Sequence, residues 1–241
     1  INFTHTDFAF RFRGNRFWVS YDRGKSWSEP YQLSDLGQIG VMPRTDYIVY
    51  DKDRCQFFLT ATKTNGREGR PFMAETRDGG RSIGFFAWMA PEPEGYSIMP
   101  STVRLSQSRL VSAIRRYDRE PVAGGWIDIY HSADQGLNWE HLSKVADTGA
   151  HGGNPPSMIQ LKDGRLAITY GYRSVPYSIR AKMSSDEGAT WGPEIMLRDD
   201  ARSWDLGYTR TVQRPDGKLV TVYYYSTEKH REMHIAGTIW E

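Results

Sequence analysis

An eight-residue motif that occurs four times decides the fold of this chain. It reads SYDRGKSW at residues 20–27, SADQGLNW at 132–139 and SSDEGATW at 184–191. A fourth copy, TRDGGRSI at 76–83, keeps the Asp and the Gly but has Ile in place of Trp. The motif aspartates follow one another at intervals of 56, 56 and 52 residues and are Asp22, Asp78, Asp134 and Asp186. A period near fifty residues is typical of repeat architectures.

Each part of this motif, which we call the clasp, has a structural task. The Asp carboxylate can accept hydrogen bonds from backbone N–H groups a few residues later and so close a tight turn. The Gly supplies the positive φ that such a turn needs, and the Trp folds back to bury apolar surface. We therefore predict that the four clasp aspartates are structural and face away from any active site, and that Trp27, Trp139 and Trp191 are buried beside them.

Between the clasps the sequence predicts short strands separated by turns. Residues 156–161, 166–172 and 179–184 are apolar or alternating, with turn residues KDGR at 162–165 and SVPY at 174–177 between them. The repeating unit is strand, turn, strand, loop, strand, clasp, strand, and no convincing amphipathic helix interrupts it. Four antiparallel strands repeated at about fifty residues describe the blade of a β-propeller, so the predicted fold class is all-β.

The blade pattern predicts one propeller domain over residues 1–241. Complete blades are expected at about 44–90, 98–145 and 155–198, and partial blades at 1–35 and 207–241. The N-terminal part offers only the later strands of a blade, and the C-terminal part only the first three. We expect a fragment of a larger propeller that lacks one N-terminal blade; the alternative is a closed five-bladed ring whose terminal strands share a blade.

Composition narrows the function only broadly. The 241 residues include 31 Lys and Arg and 29 Asp and Glu, for a formal charge of +2, which gives no general case for nucleic acid or membrane partners. No apolar run approaches a membrane span. The single Cys55 excludes an internal disulfide and a cysteine-based metal cluster. Eight Trp and fourteen Tyr suit both blade packing and carbohydrate stacking. No signal peptide is visible, although a truncated start would hide one, and a secreted or periplasmic location is favoured.

The clasps and three longer strings together resemble a known family. The strings are MPSTVRL at 99–105, GGNPPSMIQLKDGRLAITYGYR at 152–173 and DLGYTRTVQRPDGKLVTVYY at 205–224. The chain resembles, over essentially its whole length, the sialidase superfamily of Asp-box (BNR-repeat) propellers, in particular a bacterial sialidase-like or exo-α-sialidase branch. The resemblance implies a six-bladed propeller, a retaining exo-glycosidase that releases sialic acid or a related acidic sugar, a glycan as the partner, and no cofactor or metal.

The family's chemistry assigns roles to particular side chains. Three arginines clamp the sialoside carboxylate, a tyrosine activated by a glutamate attacks the sugar, and an aspartate is the acid/base. By resemblance, Tyr208 is the nucleophile, with packing as its alternative role. Arg115 and Arg173 are the clamp candidates, and Arg180 replaces Arg173 in the alternative; a surface ion pair is the other interpretation of either. Further candidates for the carboxylate site are Arg44 and Arg210, and Arg210 would also lower the pKa of Tyr208.

Two departures from the family pattern bear on the enzyme interpretation. No carboxylate is present near residues 100–102, where the activating glutamate is expected. The usual acid/base aspartate belongs to the blade that is missing or partial, which leaves Asp7 and Asp46 as candidates, against a turn or strand-cap role for each. His151 is either a proton carrier or a loop hydrogen bonder.

Three function classes follow from these observations. They are an exo-glycosidase for acidic sugars, a lyase or other glycosidase acting on uronate-rich glycans, and a sugar-binding propeller without turnover. A carboxylate within hydrogen-bond reach of Tyr208 would favour the first class, and its absence would weaken that class.

Overall fold

The computed structural model describes residues 1–33, 36–118 and 123–241, without the side chains of Arg44 and Thr45. All regular secondary structure in these residues is β-strand. In chain order the strands are β1 (Ala9–Arg13), β2 (Arg16–Ser20), β3 (Tyr31–Gln32), β4 (Met42–Val49), β5 (Cys55–Thr62), β6 (Glu68–Thr76), β7 (Gly84–Trp88), β8 (Tyr96–Arg104), β9 (Leu110–Asp118), β10 (Gly124–Ser132), β11 (Glu140–Gly149), β12 (Ser157–Gln160), β13 (Leu166–Tyr172), β14 (Ser178–Ser184), β15 (Ile195–Arg198), β16 (Gly207–Gln213), β17 (Leu219–Tyr225) and β18 (His234–Trp240).

The strands form five sheets, each built from strands that follow one another in the chain. The sheets are β1–β3, β4–β7, β8–β11, β12–β15 and β16–β18, which we number as blades 1 to 5. Neighbouring strands pair antiparallel throughout. The predicted all-β propeller is therefore confirmed, and its five blades match the five-bladed alternative. In the described residues the strands nearest the two chain ends belong to separate sheets, so the expectation that they share a blade is wrong.

The first strands of blades 2 to 5 lie side by side, and one hydrogen bond is repeated between them. A backbone N–H of each following strand donates to a side-chain oxygen of the preceding one: Thr102 N to Asp46 Oδ2 (3.0 Å), Met158 N to Ser101 Oγ (2.9 Å) and Thr211 N to Ser157 Oγ (3.1 Å). Strand register places Asp46, Ser101, Ser157 and Arg210 at one equivalent position. These bonds hold neighbouring blades together around the centre of the molecule.

Apolar cores fill the spaces between successive blades. Between blades 1 and 2 the core is largely aromatic, with Phe10 and Phe12 packed on Phe57. Farther along the chain, Ile127 on β10 and Ile179 on β14 are 0% exposed, each in a core that the following blade helps to form. The equivalent residue of blade 5, Ile235 on β18, is 77% exposed. One face of blade 5 is thus built like an interface between blades but lies open.

The clasps close the turns between the third and fourth strands of blades 2 to 4 and the turn between β2 and β3 of blade 1. In the last one, Asp186 accepts hydrogen bonds from the Ser184 hydroxyl (2.8 Å), the Thr190 backbone N–H (2.9 Å) and the Thr190 hydroxyl (2.5 Å). The same set recurs at the other three clasps, where the second partner is Ser26, Ser82 or Asn138. The polar residue before the Trp position therefore belongs to the motif, a feature that the sequence template missed.

The clasp tryptophans are less enclosed than predicted. Trp27, Trp139 and Trp191 are all half-buried. Trp139 packs against the core between blades 2 and 3, and Trp191 packs against the core between blades 3 and 4. The Arg11 guanidinium lies 4.4 Å from the Trp27 ring. Trp139 donates its indole N–H to Gly136 O (2.8 Å), which holds the ring against its own turn. The expectation of full burial is wrong, and the free energy that each ring contributes to folding is correspondingly smaller.

The two ends of the propeller differ in what they carry. The register of β9 with β10 places Leu110 beside Ser132, where the clasp begins, and Arg115 five residues farther toward the opposite end. We call these the clasp end and the loop end. The loop end carries the turns between second and third strands and the connections between blades, and these connections position the site described next.

Candidate functional site

Arg115 and Arg173 meet at the loop end around one connection between blades. Arg115 lies in β9 and Arg173 directly follows β13, and they are only 6% and 5% exposed. Arg115 donates from Nε (2.9 Å) and Nη2 (2.7 Å) to Gly152 O, and Arg173 donates from Nη1 to His151 O (3.3 Å). The two guanidinium groups therefore hold consecutive carbonyls of the loop that joins blades 3 and 4.

Register shows that these arginines do not occupy equivalent positions in their blades. Arg115 is equivalent to Gly171, and Arg173 to Tyr117, two residues farther along the second strand. Both nevertheless reach the same loop, because residues two apart in a strand share a face. The two side chains are therefore brought together by their contacts with this loop and not by equivalent positions in their blades.

The arginine donors are largely engaged by the protein itself. Arg115 also donates to Tyr96 Oη (3.3 Å), and Arg173 donates from Nη2 to Leu206 O (3.3 Å) and Tyr224 Oη (2.9 Å). Nε of Arg173 is buried and, in the described part of the chain, makes no hydrogen bond. An open clamp would leave paired donors free for a carboxylate. Here the guanidinium groups support the loop, and binding a carboxylate would require some of these bonds to be exchanged.

Tyr208 lies at the mouth of the same region, at an irregular position of β16. A register shift between Gly207 and Arg210 accommodates it at φ +49°, and the residue is 43% exposed. Its backbone N–H donates to Oδ1 of the buried Asn154 (3.2 Å). In the described residues no carboxylate bonds to its hydroxyl, so the feature that would favour an acidic-sugar glycosidase through Tyr208 is not observed.

A different tyrosine has the carboxylate partner. The Tyr224 hydroxyl donates to Asp205 Oδ1 (2.8 Å) and accepts from Arg173 Nη2 (2.9 Å). Burial and the Asp205 hydrogen bond raise the pKa of Tyr224, while Arg173 opposes them. This group lies next to Tyr208, whose ring centroid is 5.7 Å from that of Tyr224. Sequence reasoning missed the pair, although both residues fall inside the 205–224 string.

Exposed aromatic rings adjoin this polar group. His151 stacks on Trp204 with centroids 4.6 Å apart and planes 14° from parallel, and Trp204 is 40% exposed. The Arg173 guanidinium lies 5.5 Å from the Trp204 ring and 5.9 Å from the Tyr208 ring. We call Trp204, Tyr208 and His151 the aromatic platform. Its flat faces, beside a carboxylate and a guanidinium, offer both stacking and hydrogen bonding to a sugar.

Asp46 occupies the central position that serine holds in the next two blades. Burial of the carboxyl group away from water raises its pKa to about 7. The Thr102 hydrogen bond and the positive charge of Arg210 lower the pKa and so oppose this effect. The residue as a whole is half-buried. Ser101 and Ser157 make the same bond to the following blade with a hydroxyl, so that bond does not require a carboxyl group at this position.

The structure separates two other candidates, Asp7 and Arg180, from this site. Asp7 pairs with Arg23 of the first clasp (2.6 Å), so it lies at the clasp end, opposite Arg115 and Arg173. Arg180 pairs with Glu194 (2.7 Å) and lies 3.6 Å from the Tyr172 ring. Arg180 thus has the ion-pair role that the sequence left open as its alternative to clamping a carboxylate. The side chain of Arg44 is outside the described residues.

Arg210 is exposed and its Nη1 donates to Thr209 O (3.2 Å). Its positive charge lowers the pKa of Asp46. The part of the chain that the structure describes contains no cluster of three His, Cys, Asp or Glu that could hold a metal ion. It also contains no helix long and apolar enough to cross a membrane.

Comparison with known families settles what kind of propeller this is. A family model described as a BNR repeat-like domain matches residues 6–222. The chain belongs to the BNR repeat-like domain family. The resemblance to Asp-box (BNR-repeat) propellers is thereby confirmed for family and fold.

Solved structures share the fold of this BNR repeat-like domain at low identity. A protein of unknown function from Dyadobacter fermentans is 23% identical, with a TM-score of 0.77 over 97% of this chain and 67% of the other. The GH93 α-L-arabinofuranosidase of Fusarium graminearum is 13% identical, with a TM-score of 0.60 over 86% of this chain and 63% of the other. The NanB sialidase of Streptococcus pneumoniae is 16% identical, with a TM-score of 0.66 over 94% of this chain and 35% of the other.

The present chain therefore spans about two thirds of the first two proteins and about a third of the sialidase. No functionally curated protein matches it. At these identities the likeness to solved structures establishes the propeller fold of the BNR repeat-like domain and nothing finer.

Proposed function

We propose that this protein is a carbohydrate-active propeller of the glycosidase kind, acting on glycans that end in sialic acid or a related acidic sugar. The observation that carries the proposal is the aromatic platform beside the Tyr224–Asp205–Arg173 group. The similar folds of a sialidase and an α-L-arabinofuranosidase support carbohydrate chemistry by analogy, since one fold hosts many functions.

Tyr224 and Asp205 have the arrangement that a neutral nucleophile needs. A phenol with a raised pKa stays protonated at neutral pH, so it requires a base. In the proposed reaction the Tyr224 oxygen attacks the anomeric carbon, its proton passes to Asp205, and the glycosidic bond breaks. Water then cleaves the glycosyl–tyrosine bond and restores the phenol. Arg173, already bonded to the phenol oxygen, stabilises negative charge that develops there.

The proton for the leaving alcohol requires an acid that remains protonated near neutrality. Asp46 is the candidate, since its pKa of about 7 leaves a substantial protonated fraction at physiological pH. Arg115, Arg173 and Arg210 supply the positive charge that favours an acidic sugar. Tyr208 then lines the site; in the alternative assignment it is itself the nucleophile.

A sugar-binding propeller without turnover is the second candidate function. Two observations favour it: most donors of Arg115 and Arg173 are bonded to the protein, and no described carboxylate reaches the Tyr208 hydroxyl. Such a protein would use the aromatic platform for binding and would have no use for Asp205 as a base.

Product analysis and binding measurements together test the proposal. The protein is incubated with 3′- and 6′-sialyllactose, polyuronate oligosaccharides and arabino-oligosaccharides, and released sugars are identified by chromatography and mass spectrometry. Release of a terminal acidic sugar, abolished by Tyr224→Phe, supports the glycosidase. Unsaturated uronate products would instead indicate a lyase.

A matched pair of aromatic variants locates the site. Trp204→Ala removes an exposed ring of the platform, whereas Tyr31→Ala removes a similarly exposed ring on blade 1. Binding that Trp204→Ala weakens and Tyr31→Ala does not places the glycan on the platform. Binding without any product would establish the non-catalytic alternative, and binding insensitive to Trp204→Ala would overturn this location.

A further inference from the structure

A second cleft opens at the loop end, between blades 2 and 3. Its volume is about 300 Å³, and its walls come from the β5–β6 turn, the connection into β8 and the end of β9. The residues used below are Lys63, Arg67, Glu68, Glu94, Tyr96, Tyr117 and Asp118. None of these belongs to the aromatic platform.

The floor of the cleft is fixed by a buried ammonium group. Lys63 is 5% exposed, and its Nζ donates to Pro93 O (3.0 Å), Glu94 O (2.8 Å) and Gly95 O. An ammonium group has three donors, so these carbonyls use all of them. Lys63 therefore shapes the cleft and has no donor left for a ligand.

Close backbone packing holds the walls in place. A side chain at Gly95 would meet Tyr117 O at 1.8 Å, and one at Gly69 would meet Tyr96 Cβ at 2.8 Å. Gly95 N also donates to Asp118 Oδ1 (2.8 Å). These contacts set the position of the aromatic wall before any ligand arrives, which is typical of preformed binding sites.

The wall is a pair of stacked tyrosines. The rings of Tyr96 and Tyr117 have centroids 5.2 Å apart and planes 22° from parallel, and both residues are half-buried. A flat ring face of this kind suits the C–H face of a pyranose or furanose ring. Carboxylates at the rim, Glu94 and Asp118, are acceptors for sugar hydroxyls.

Charge selects among sugars. Three carboxylates and two cations line the described cleft: Glu68, Glu94, Asp118, Lys63 and Arg67. The excess of carboxylates over cations in this lining disfavours a further negative charge. The aromatic platform, by contrast, has Arg173 between its rings. The two sites thus have opposite preferences for an acidic sugar.

Tyr96 also connects the cleft to the first site. Its hydroxyl donates to Gly152 O (2.5 Å), the same carbonyl that Arg115 holds, and the preceding carbonyl, of His151, is held by Arg173. The cleft and the platform therefore adjoin the same 151–152 loop.

We infer that this cleft is a subsite for a neutral sugar unit of the same glycan whose acidic end lies at the aromatic platform. The inference rests on the proposed function in taking the ligand to be a glycan. It makes the ligand an oligosaccharide of mixed charge, with its acidic residue and its neutral residue recognised by different blades.

Binding of uncharged and charged probes tests this assignment. Affinities of the whole protein for lactose, maltose, cellobiose and xylobiose, and for free sialic acid and 3′-sialyllactose, are measured by calorimetry or saturation-transfer NMR. Tyr117→Ala removes half of the wall, and Asp118→Asn keeps the acceptor for Gly95 N while removing the charge. Tyr31→Ala is the matched control, and thermal melts confirm that each variant folds.

We expect at least one neutral disaccharide to bind the wild-type protein. Its affinity should be at least tenfold lower for Tyr117→Ala and unchanged for Tyr31→Ala and Trp204→Ala. Asp118→Asn should weaken the same binding if Tyr117→Ala does not fold. Absence of neutral-sugar binding, or binding that neither cleft variant changes, overturns the inference. If free sialic acid still binds and Trp204→Ala weakens that binding, the proposed function stands although the subsite inference has failed. Failure of the inference is thereby distinguished from failure of the proposed function.

Discussion

Asp46 shows how one changed residue in a repeat can mark function. At its position the next two blades have serine, and all three side chains accept the same backbone N–H. The carboxyl group therefore adds an ionisable group where packing requires only an acceptor. Its pKa of about 7 is due chiefly to burial away from water. The pH dependence of stability tests this pKa.

We predict that Asp46→Ser removes a pH dependence of stability. The folded-state pKa is raised above the unfolded value of about 4, so the stabilising effect is complete below pH 4 and is lost as pH rises through 7. At pH 8 the variant should exceed the wild type in free energy of unfolding by about 2 kcal/mol, less than the full shift implies because the residue is partly exposed. Urea denaturation at pH 5 and pH 8 measures this. Ser101→Asp is the mirror control and should acquire the dependence; equal slopes in all three proteins would refute the pKa assignment.

The two tyrosines of the site make separable predictions. Tyr224→Phe removes the hydroxyl that joins Asp205 and Arg173, so kcat for a fluorogenic sialoside should fall by about a thousandfold or more. Tyr208→Phe should change kcat by less than about tenfold, since no described carboxylate activates that hydroxyl. Steady-state kinetics on both variants checks this. The opposite pattern would restore Tyr208 as the nucleophile.

The clasp is the element that the sequence specified best. Its Asp-Gly spacing predicted the turns and, through their period, the blades. The residue before the Trp was overlooked because Ser26, Ser82, Asn138 and Thr190 differ in type, although each supplies both a backbone and a side-chain donor. Burial of the Trp was overestimated because a motif states which residue packs and not how much of it a neighbouring blade covers.

We predict that Trp191→Ala lowers the free energy of unfolding by about 2 kcal/mol. A fully buried Trp would cost about 3–5 kcal/mol, and half-burial reduces that loss. Denaturant titration of the single variant provides the number. A loss above the range for full burial would mean that the ring supports the sheet in a further way.

The clasp carboxylates also predict a loss of stability in acid. Hydrogen bonds from Ser82 lower the pKa of Asp78 to about 2, and those from Ser26 and Thr190 lower the pKa of Asp22 and Asp186. Depressed values mean that stability is complete above pH 4 and is lost as pH falls toward 2. Denaturation at pH 5 and pH 2.5 should show the loss, and Asp186→Asn should reduce it. An unchanged acid dependence in that variant would contradict the assignment.

For the molecule as a whole, the sequence predicted the repeat and its strands far better than it predicted the site. Period and turn chemistry are local signals, and the strand expected at 166–172 is observed as Leu166–Tyr172. The site depends on which residues of different blades meet. The bond from Tyr224 to Asp205, and the stacking of His151 on Trp204, join residues 19 and 53 positions apart, which no spacing rule relates. Asp7 was a catalytic candidate for the same reason, because the register of β1 with β2, which places it at the clasp end, could not be known from the sequence.

The open face of blade 5 allows the contribution of blade packing to be measured within one protein. Ile127, Ile179 and Ile235 occupy equivalent positions, yet only the first two are covered by a neighbouring blade. Replacing either covered isoleucine with Ala should lower the free energy of unfolding by about 3 kcal/mol, because a cavity forms in a dense core. Ile235→Ala should cost less than about 0.5 kcal/mol, because its side chain already contacts solvent. Denaturant unfolding of the three variants decides the matter, since chemistry and strand position are the same and only the cover differs. A large loss at Ile235 would show that this face is buried in solution by contacts that a single chain does not provide.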